Sequence, residues 1–162
     1  MADGRLSYPL KLFIGVVVCE GAGLIGAIFT TPAITTWYAT LAKPAFTPPN
    51  WLFAPAWVTL YFLMGVAAAT VWQKGLAERR HRTALAIFLV QLALNVLWSV
   101  VFFGLESPLY GLVVMAALWL AILLTIIRFF RISAPAGYIM LPYLGWVTFA
   151  AALNAAIFML NA

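Results

Sequence analysis

The residues that could do acid–base chemistry are few in this sequence. Four carboxylates occur, and Asp3, Glu78 and Glu106 lie in terminal or loop segments, so no pair of acids can be assembled inside one site. Glu20 differs, because it falls near the middle of an apolar run, where an isolated carboxylate costs at least about 3 kcal/mol. We expect it to face a bundle interior or a wet cavity, either contacting a ligand or proton or as a neutral carboxyl bonded to another helix.

Residues that could bind a metal or act as a catalytic nucleophile are also scarce. The sequence has one histidine, His81, and one cysteine, Cys19, too few for an all-protein metal centre or for a nucleophile with its base. His81 lies in the basic stretch QKGLAERRHR, which we assign to a short solvated turn. We therefore predict no metal ligands and no catalytic residues, and enzymatic activity is not the expected role.

Polar side chains recur on one face of the third long apolar run. Gln91, Asn95 and Ser99 follow one another at steps of four, which places them on the same side of a helix. Amides surrounded by lipid need hydrogen-bond partners. This stripe is therefore predicted either to bond to neighbouring helices or to form the polar wall of a pocket.

Aromatic side chains are the abundant group in this sequence that could bind a ligand. It contains 7 tryptophans, 6 tyrosines and 12 phenylalanines. In the last apolar run, Trp146, Ala150 and Leu153 fall at helical spacing, so a large ring lies beside a small-residue gap. This shape could admit a planar, mostly apolar molecule bound by stacking, although ordinary packing would produce much the same pattern.

The elements that must position these residues are membrane spans. The chain has 162 residues, of which 66% are hydrophobic and only 8% are charged, whereas about 25% of the residues of a soluble domain are charged. A helix needs about 20 apolar residues to cross a bilayer. We predict an all-α integral membrane protein, a single five-helix transmembrane domain over residues 1–162, with spans at about 10–29, 52–71, 84–103, 109–129 and 138–160.

The longest non-helical segment is predicted at residues 37–57, between the first two spans. Thr30, Thr31 and Pro32 are expected to end the first span, and proline removes a backbone donor and fixes φ. Pro55 is placed in the first turn of the second span, where the missing donor does little harm. Aromatic rings in the segment favour the membrane–water boundary. We predict a loop that caps a ligand pocket, with a simple interfacial anchor as the alternative.

Cations are concentrated in the segments that five spans place on one side of the membrane. Lys43 is alone on the opposite side, and the other eight cations are Arg5, Lys11, Lys74, Arg79, Arg80, Arg82, Arg128 and Arg131. The positive-inside rule then predicts a cytoplasm-like face for the N-terminus, with the first loop and the C-terminus on the opposite face. No basic face is large enough to follow a nucleic acid, so the lipid bilayer is the expected partner.

Several segments of the chain resemble the TspO/MBR family, which is also described as the tryptophan-rich sensory protein, translocator protein or peripheral-type benzodiazepine receptor family. They are WYATLAKPAFTPPNW with FAPAW and LYFLMG, then QLALNVLWSVVFFG, and then LPYLGWVTFAAALN, in family order and spacing. With the glycine-rich first span they cover nearly the whole chain. The resemblance implies five transmembrane helices and a long first loop that closes a pocket.

The resemblance also implies a function. Members of the family bind porphyrins and similar planar hydrophobic molecules, so a membrane receptor or sensor is expected, with the porphyrin as ligand and no cofactor. The pocket tryptophans of the family fall on Trp57 and Trp146, its polar wall on Asn95 with Trp98, and its lid motif on Tyr38 and Trp51. With Glu20 and the gap beside Trp146, the candidate ligand-binding residues are Trp57, Trp146, Asn95, Trp98, Tyr38, Trp51, Glu20, Ala150 and Leu153.

Three further roles stay open at this point: transport of porphyrin or other lipophilic molecules, light- and oxygen-dependent porphyrin degradation, and a structural or partner protein with a vestigial pocket. Against transport, the sequence has no inverted repeat and no paired broken helices. The sterol-recognition pattern of animal members needs a cation after the fifth span, and the chain instead ends in AAIFMLNA. A homodimer is a family expectation, with which the small residues Ala86 and Ala93 are compatible.

Overall fold

The computed structural model describes residues 6–162, so Asp3 and Arg5 lie outside the described residues. The helices are α1 (Tyr8–Thr35), the single turn α2 (Trp37–Thr40), α3 (Asn50–Gln73), α4 (Arg79–Ser99), α5 (Pro108–Phe130) and α6 (Ala134–Asn161), and a π-helical turn, Val100–Gly104, continues α4. Within residues 6–162, five helices are long and apolar enough to span a membrane. The predicted all-α, five-span membrane fold is confirmed.

The five long helices form a closed ring in the order α1, α3, α6, α5, α4. Successive spans run in opposite directions, because short connections join them. The segment 41–49, the turn before α5 and the C-terminus therefore share one end of the bundle, which we call the loop end. The connections before α4 and α6 lie at the other end, which we call the basic end.

Two glycines bring the backbones of α1 and α3 into contact. A Cβ atom on Gly15 would lie 2.7 Å from the carbonyl oxygen of Gly65, and a Cβ atom on Gly65 would lie 2.6 Å from the Cα of Val16. Only glycine permits this approach. Nearer the loop end a ring separates the same helices, since a Cβ atom on Gly23 would lie 2.6 Å from the ring of Tyr61.

The first span is longer than predicted. We expected it to end at Thr30–Pro32, but α1 continues through Pro32 to Thr35. Proline removes only one helical hydrogen bond, and here the loss falls in the last turn, where the helix is about to end. The hydroxyl of Thr36 donates to the carbonyl of Pro32 at 2.9 Å and satisfies one of the terminal carbonyls.

The proline-rich segment is less extended than predicted. Residues 37–40 form α2, and α3 begins at Asn50, so only residues 41–49 lie outside helices within 37–57. Pro55 lies inside α3 beyond its first turn, which corrects its predicted position. The helix tolerates it because the carbonyls freed by a proline near the N-terminus are close to the exposed end.

The basic stretch is also more ordered than predicted, because α4 begins at Arg79 and includes His81. His81 is 3% exposed, and its Nδ1 lies 2.6 Å from the carbonyl oxygen of Gly75. Gly75 has a φ of +92°, which turns the chain back so that its carbonyl faces the imidazole. His81 is therefore a buried helix residue that holds this turn, and the assignment to a solvated turn was wrong.

Candidate ligand-binding cavity

A cavity of about 250 Å³ occupies the loop-end half of the bundle. Four spans surround it, namely α1, α3, α4 with its π-helical turn, and α6, while Tyr38 of α2 covers it from the loop end. The lining is mainly aromatic and aliphatic, with a few polar groups. Concave, mostly apolar sites with few polar groups are typical of small-molecule binding.

One wall of the cavity is built from the indoles of Trp57 on α3 and Trp146 on α6. Their ring centroids lie 6.5 Å apart and the planes are nearly perpendicular, at 86°. Tyr61 lies one turn below Trp57, with centroids 5.6 Å apart. Tyr143 lies one turn below Trp146 and meets the edge of Trp57 at 6.3 Å. The two indoles therefore present an aromatic corner to the cavity.

The facing wall comes from α4 and its π-helical turn. Trp98 stacks on Phe102 with centroids 5.2 Å apart, and Phe102 meets the edge of Phe103 at 4.8 Å. The turn that carries both phenylalanines is closed by a hydrogen bond from Leu105 N to Val100 O at 2.9 Å, which spans five residues. Such π-helical turns occur often at functional sites, and this one was not predicted from the sequence.

A polar network lies behind the aromatic corner. The hydroxyl of Tyr61 donates to Oδ1 of Asn95 at 2.7 Å, and Nδ2 of Asn95 donates to the hydroxyl of Tyr143 at 2.6 Å. That hydroxyl donates in turn to Oε1 of Gln91 at 3.0 Å. Gln91 and Asn95 therefore follow the first predicted alternative for the polar stripe, because they bond to neighbouring helices. Ser99, one turn further, lines the cavity.

Trp98 is held by a second, smaller network. Its Nε1 donates to Oδ1 of Asn154 at 3.3 Å, and Nδ2 of Asn154 donates to the carbonyl of Pro108 at 2.9 Å. Both side chains are buried and both line the cavity. Because their hydrogen bonds are already made within the protein, Trp98 can offer its ring face without leaving a polar atom unsatisfied.

Glu20 lines the cavity at the end furthest from the loop. Its carboxyl has no hydrogen bond and no ion pair with any residue in 6–162. The alternative in which Glu20 bonds to another helix is therefore not the arrangement seen here. A contact to a ligand or a proton stays a prediction for this carboxyl.

At the loop end, Tyr38 lines the cavity, and the segment 41–49 follows it without lining the cavity; we call Tyr38 and this segment together the roof. Tyr38 is buried against Phe102 and Phe103, and this burial raises the pKa of its hydroxyl above the ordinary value. Nζ of Lys43 lies 4.8 Å from the centroid of the Tyr38 ring. The roof therefore combines a neutral phenol with the cation that sequence analysis placed alone at this end.

Most of the candidate residues surround one cavity. Those that line it are Glu20, Tyr38, Trp57, Trp98, Trp146, Ala150 and Leu153. Asn95 does not line it, because Tyr61 lies between the amide and the cavity. Trp51 is 71% exposed at the start of α3 and does not line it either. The ligand-binding role of all nine residues stays a prediction.

Sequence reasoning missed several aromatic residues of the lining. Phe53 and Tyr61 lie one turn before and after Trp57, and Phe149 lies three residues after Trp146. Helical spacing from the two recognised tryptophans would have found all three. Phe102 lies four residues after Trp98, so helical spacing places it beside that ring, whereas the orientation of Phe103 depends on the π-helical turn.

The chain is similar to known proteins over nearly its whole length. The model of the TspO/MBR family matches residues 15–160. The chain is 48% identical over 153 residues to the tryptophan-rich protein TspO of Archaeoglobus fulgidus, covering 94% of this chain and 98% of that protein. It is 42% identical to protein CrtK of Rhodobacter capsulatus, covering 94% of each chain.

The similarity extends to animal proteins. The chain is 33% identical over 151 residues to the translocator protein of Homo sapiens, covering 92% of this chain and 82% of that protein. The matched region includes the roof, the cavity and every spanning helix, apart from the first turns of α1 and the last residue of α6. The chain is a multi-pass membrane protein that belongs to the TspO/MBR family.

Proposed function

We propose that this protein is a membrane receptor that binds porphyrins and related planar hydrophobic molecules in the cavity beneath the segment 41–49. The observation that carries the proposal is the aromatic corner of Trp57 and Trp146, whose planes are nearly perpendicular. A flat ligand can stack on one indole while its edge meets the face of the other. Both geometries are favourable for aromatic pairs.

The size and shape of the cavity favour a flat ligand that extends beyond it. Its volume of about 250 Å³ is just below the roughly 300 Å³ at which most small-molecule pockets begin. Leu24 on α1 and Val58 on α3 both line it, yet they are 70% and 57% exposed. The cavity therefore opens sideways between these helices, so part of a large ring can lie against lipid.

The proposal is tested by titrating the purified protein in detergent with protoporphyrin IX in the dark, following tryptophan emission. Saturable quenching at micromolar porphyrin supports a defined site near the indoles. Linear quenching without saturation would mean that the porphyrin only partitions into the micelle, and this result would overturn the proposal. Protein-free micelles of the same detergent, mixed with a soluble tryptophan derivative, provide the control for partitioning.

Light- and oxygen-dependent porphyrin degradation is the second candidate function. It is favoured by the oxidisable rings of Trp57, Tyr61 and Trp146, which surround the space where the porphyrin would be excited. Molecular oxygen would be the oxidant and the porphyrin the molecule that is oxidised. Illumination in air should then bleach the porphyrin faster with protein than without it, and removal of oxygen should abolish that difference.

We also propose that the basic end faces the cytoplasm. Lys11, Lys74, Arg79, Arg80, Arg82, Arg128 and Arg131 all lie at this end among the described residues, whereas Lys43 lies at the loop end. This asymmetry supports the predicted orientation. Labelling of single cysteines placed at Ala77 and at Ala45, both exposed, in intact cells should modify only the cysteine at Ala45.

A homodimer is proposed through the outward face of α4. Ala86 and Ala93 are exposed on this face, and the neighbouring Leu89 and Val90 are 54% and 56% exposed. Small residues beside large aliphatic ones let two helices approach closely in a membrane. A cysteine at Ala93 should form a disulfide-linked dimer in membranes, whereas one at Val113 on α5 should not.

A further inference from the structure

We infer that Glu20 makes the deep end of the cavity select ligands that carry a hydrogen-bond donor or a cation there, so that anionic substituents turn toward the loop end. This inference rests on the proposed function, since it concerns the ligand class of the same cavity. It goes further, because it assigns the cavity a direction from one end to the other. The contrast between Glu20 and Lys43 carries the argument.

Glu20 lies at the deep end of the cavity, which is the end furthest from the loop end of the bundle. Along α1 the lining runs from Ile34 near the roof down to Glu20, which is the lining residue furthest from the loop end. At 1.5 Å per residue, these two positions are roughly 21 Å apart along the helix axis. Glu20 lies close to the middle of the 28-residue helix Tyr8–Thr35, so its carboxyl is near the centre of the bilayer.

No group of residues 6–162 satisfies this carboxyl. The nearest lining residue on α3 at this depth is Tyr61, whose hydroxyl is already donated to Asn95 at 2.7 Å. No residue in the described part of the chain donates to Glu20 or pairs with it. A carboxyl within hydrocarbon is costly unless a partner is provided. A ligand that brings an ammonium or an N–H group to this point would provide one.

The same carboxyl disfavours a second acid. Two carboxylates that share a site of low dielectric repel each other, so that one must take up a proton. A ligand carboxylate placed beside Glu20 would meet this penalty. The acidic edge of a ligand such as protoporphyrin IX is therefore turned away from the deep end.

The roof offers the opposite charge. Nζ of Lys43 donates to the backbone carbonyl of Leu41 at 3.1 Å and lies over the ring of Tyr38, and no carboxylate among residues 6–162 pairs with it. Lys43 does not line the cavity itself, but the Tyr38 ring that it contacts does, so its positive charge lies just behind that end of the lining, where it attracts a ligand carboxylate. With Glu20 in the lining at one end and Lys43 behind Tyr38 at the other, the two ends of the cavity differ in charge.

The test compares three porphyrins in the dark with purified protein in one detergent. The probes are protoporphyrin IX, its dimethyl ester, and a diamide in which both propionates are extended to end in primary amines. Dissociation constants are measured from the porphyrin absorbance for the wild type and Glu20→Gln. Glu106→Gln, an exposed carboxylate at the loop end that does not line the cavity, is the matched control.

Glu20→Gln is expected to weaken binding of the diamine porphyrin by at least about tenfold, since a charge-assisted hydrogen bond is lost. Protoporphyrin IX should bind as well as before or better, and the ester should change little, which also shows that the variant is folded. Lys43→Gln gives an independent check, because it should weaken protoporphyrin IX relative to the diamine.

Two results would overturn the inference, and they are distinguishable. If the wild type binds all three porphyrins saturably and Glu20→Gln leaves their relative affinities unchanged, the selectivity assigned to Glu20 is wrong while the proposed function stands. If the wild type binds none of them saturably, the proposed function fails and the inference fails with it.

Discussion

The side-chain amide of Asn161 forms two hydrogen bonds with the backbone of Ala42. Its Oδ1 accepts from the Ala42 N–H and its Nδ2 donates to the Ala42 carbonyl, both at 2.9 Å. These residues lie 119 positions apart in the chain. The last turn of α6 therefore holds one end of the segment 41–49, which forms the roof over the cavity.

Asn161→Ala should loosen this roof. Each hydrogen bond is worth about 1 kcal/mol net, so losing both should raise hydrogen exchange in residues 41–49 by roughly tenfold or more. Porphyrin association and dissociation should both become faster, while the dissociation constant changes less. Exchange followed by mass spectrometry and stopped-flow mixing measure the two effects.

Thr35→Ala is the matched control for the roof. Its hydroxyl makes only a local bond to the carbonyl of Pro32, at 3.4 Å, near the same end of the bundle. Exchange in residues 41–49 should be unchanged in this variant. Equal exchange in the wild type and Asn161→Ala would show that the two hydrogen bonds do not hold the roof.

Gly65→Ala should destabilise the bundle. The new methyl would lie 2.6 Å from the backbone of Val16, so α1 and α3 must move apart, and overpacking of this kind costs about 1–3 kcal/mol. A thermal unfolding midpoint several degrees lower, measured in detergent, is expected.

Gly21→Ala tests the same substitution without the contact, because no atom of residues 6–162 outside its own helix and neighbours lies within 4 Å of a Cβ atom there. This variant should be as stable as the wild type or slightly more stable, since alanine favours helix formation. If both glycine variants unfolded at the same temperature, the close approach at Gly65 would not determine how α1 packs on α3.

Asn95→Ala should destabilise the protein through its two tyrosine partners. The hydroxyl of Tyr61 loses its acceptor and that of Tyr143 loses a donor. Hydrogen bonds between membrane helices average about 0.6 kcal/mol and reach about 1.7 kcal/mol, so a loss of roughly 1–3 kcal/mol is expected. The free energy of unfolding in a detergent titration measures it.

Tyr61→Phe removes one of the two hydrogen bonds and keeps the ring. It should cost less than Asn95→Ala, and porphyrin binding should be kept because the ring still backs Trp57. If Asn95→Ala were no less stable than Tyr61→Phe, the amide would not be the centre of the network.

Much of the fold could be predicted from sequence because hydrophobic runs of about 20 residues specify membrane spans. The helix ends were harder to predict, since proline costs little in the first or last turns of a helix. α1 continues past Pro32, which was expected to end it, and α3 begins at Asn50 rather than at about residue 52, so that Pro55 lies beyond its first turn. Burial of His81 depends on the left-handed turn at Gly75, which local composition does not indicate.

The candidate site was predictable where a residue's face follows from helical spacing. Trp146, Ala150 and Leu153 line one cavity, as their spacing in α6 predicts. Asn95 also points inward, but Tyr61 lies between its amide and the cavity, so Asn95 does not line it. Helical spacing cannot show such an intervening side chain. Trp51 precedes Trp57 by six residues, which places it on another face of α3.

The most direct test of the proposed function is the affinity for protoporphyrin IX of the double variant Trp57→Phe, Trp146→Phe. Binding is followed in the dark by the absorbance of the porphyrin, so that the loss of indole emission does not affect the readout. The control pair is Trp51→Phe, Trp119→Phe, since neither tryptophan lines the cavity.

Stacking on an aromatic ring contributes about 0.5–1.5 kcal/mol, so replacing both indoles by smaller rings should raise the dissociation constant roughly tenfold. The control pair should bind like the wild type. An unchanged dissociation constant in the Trp57, Trp146 variant, with saturable binding in all three proteins, would contradict the placement of the porphyrin at the aromatic corner.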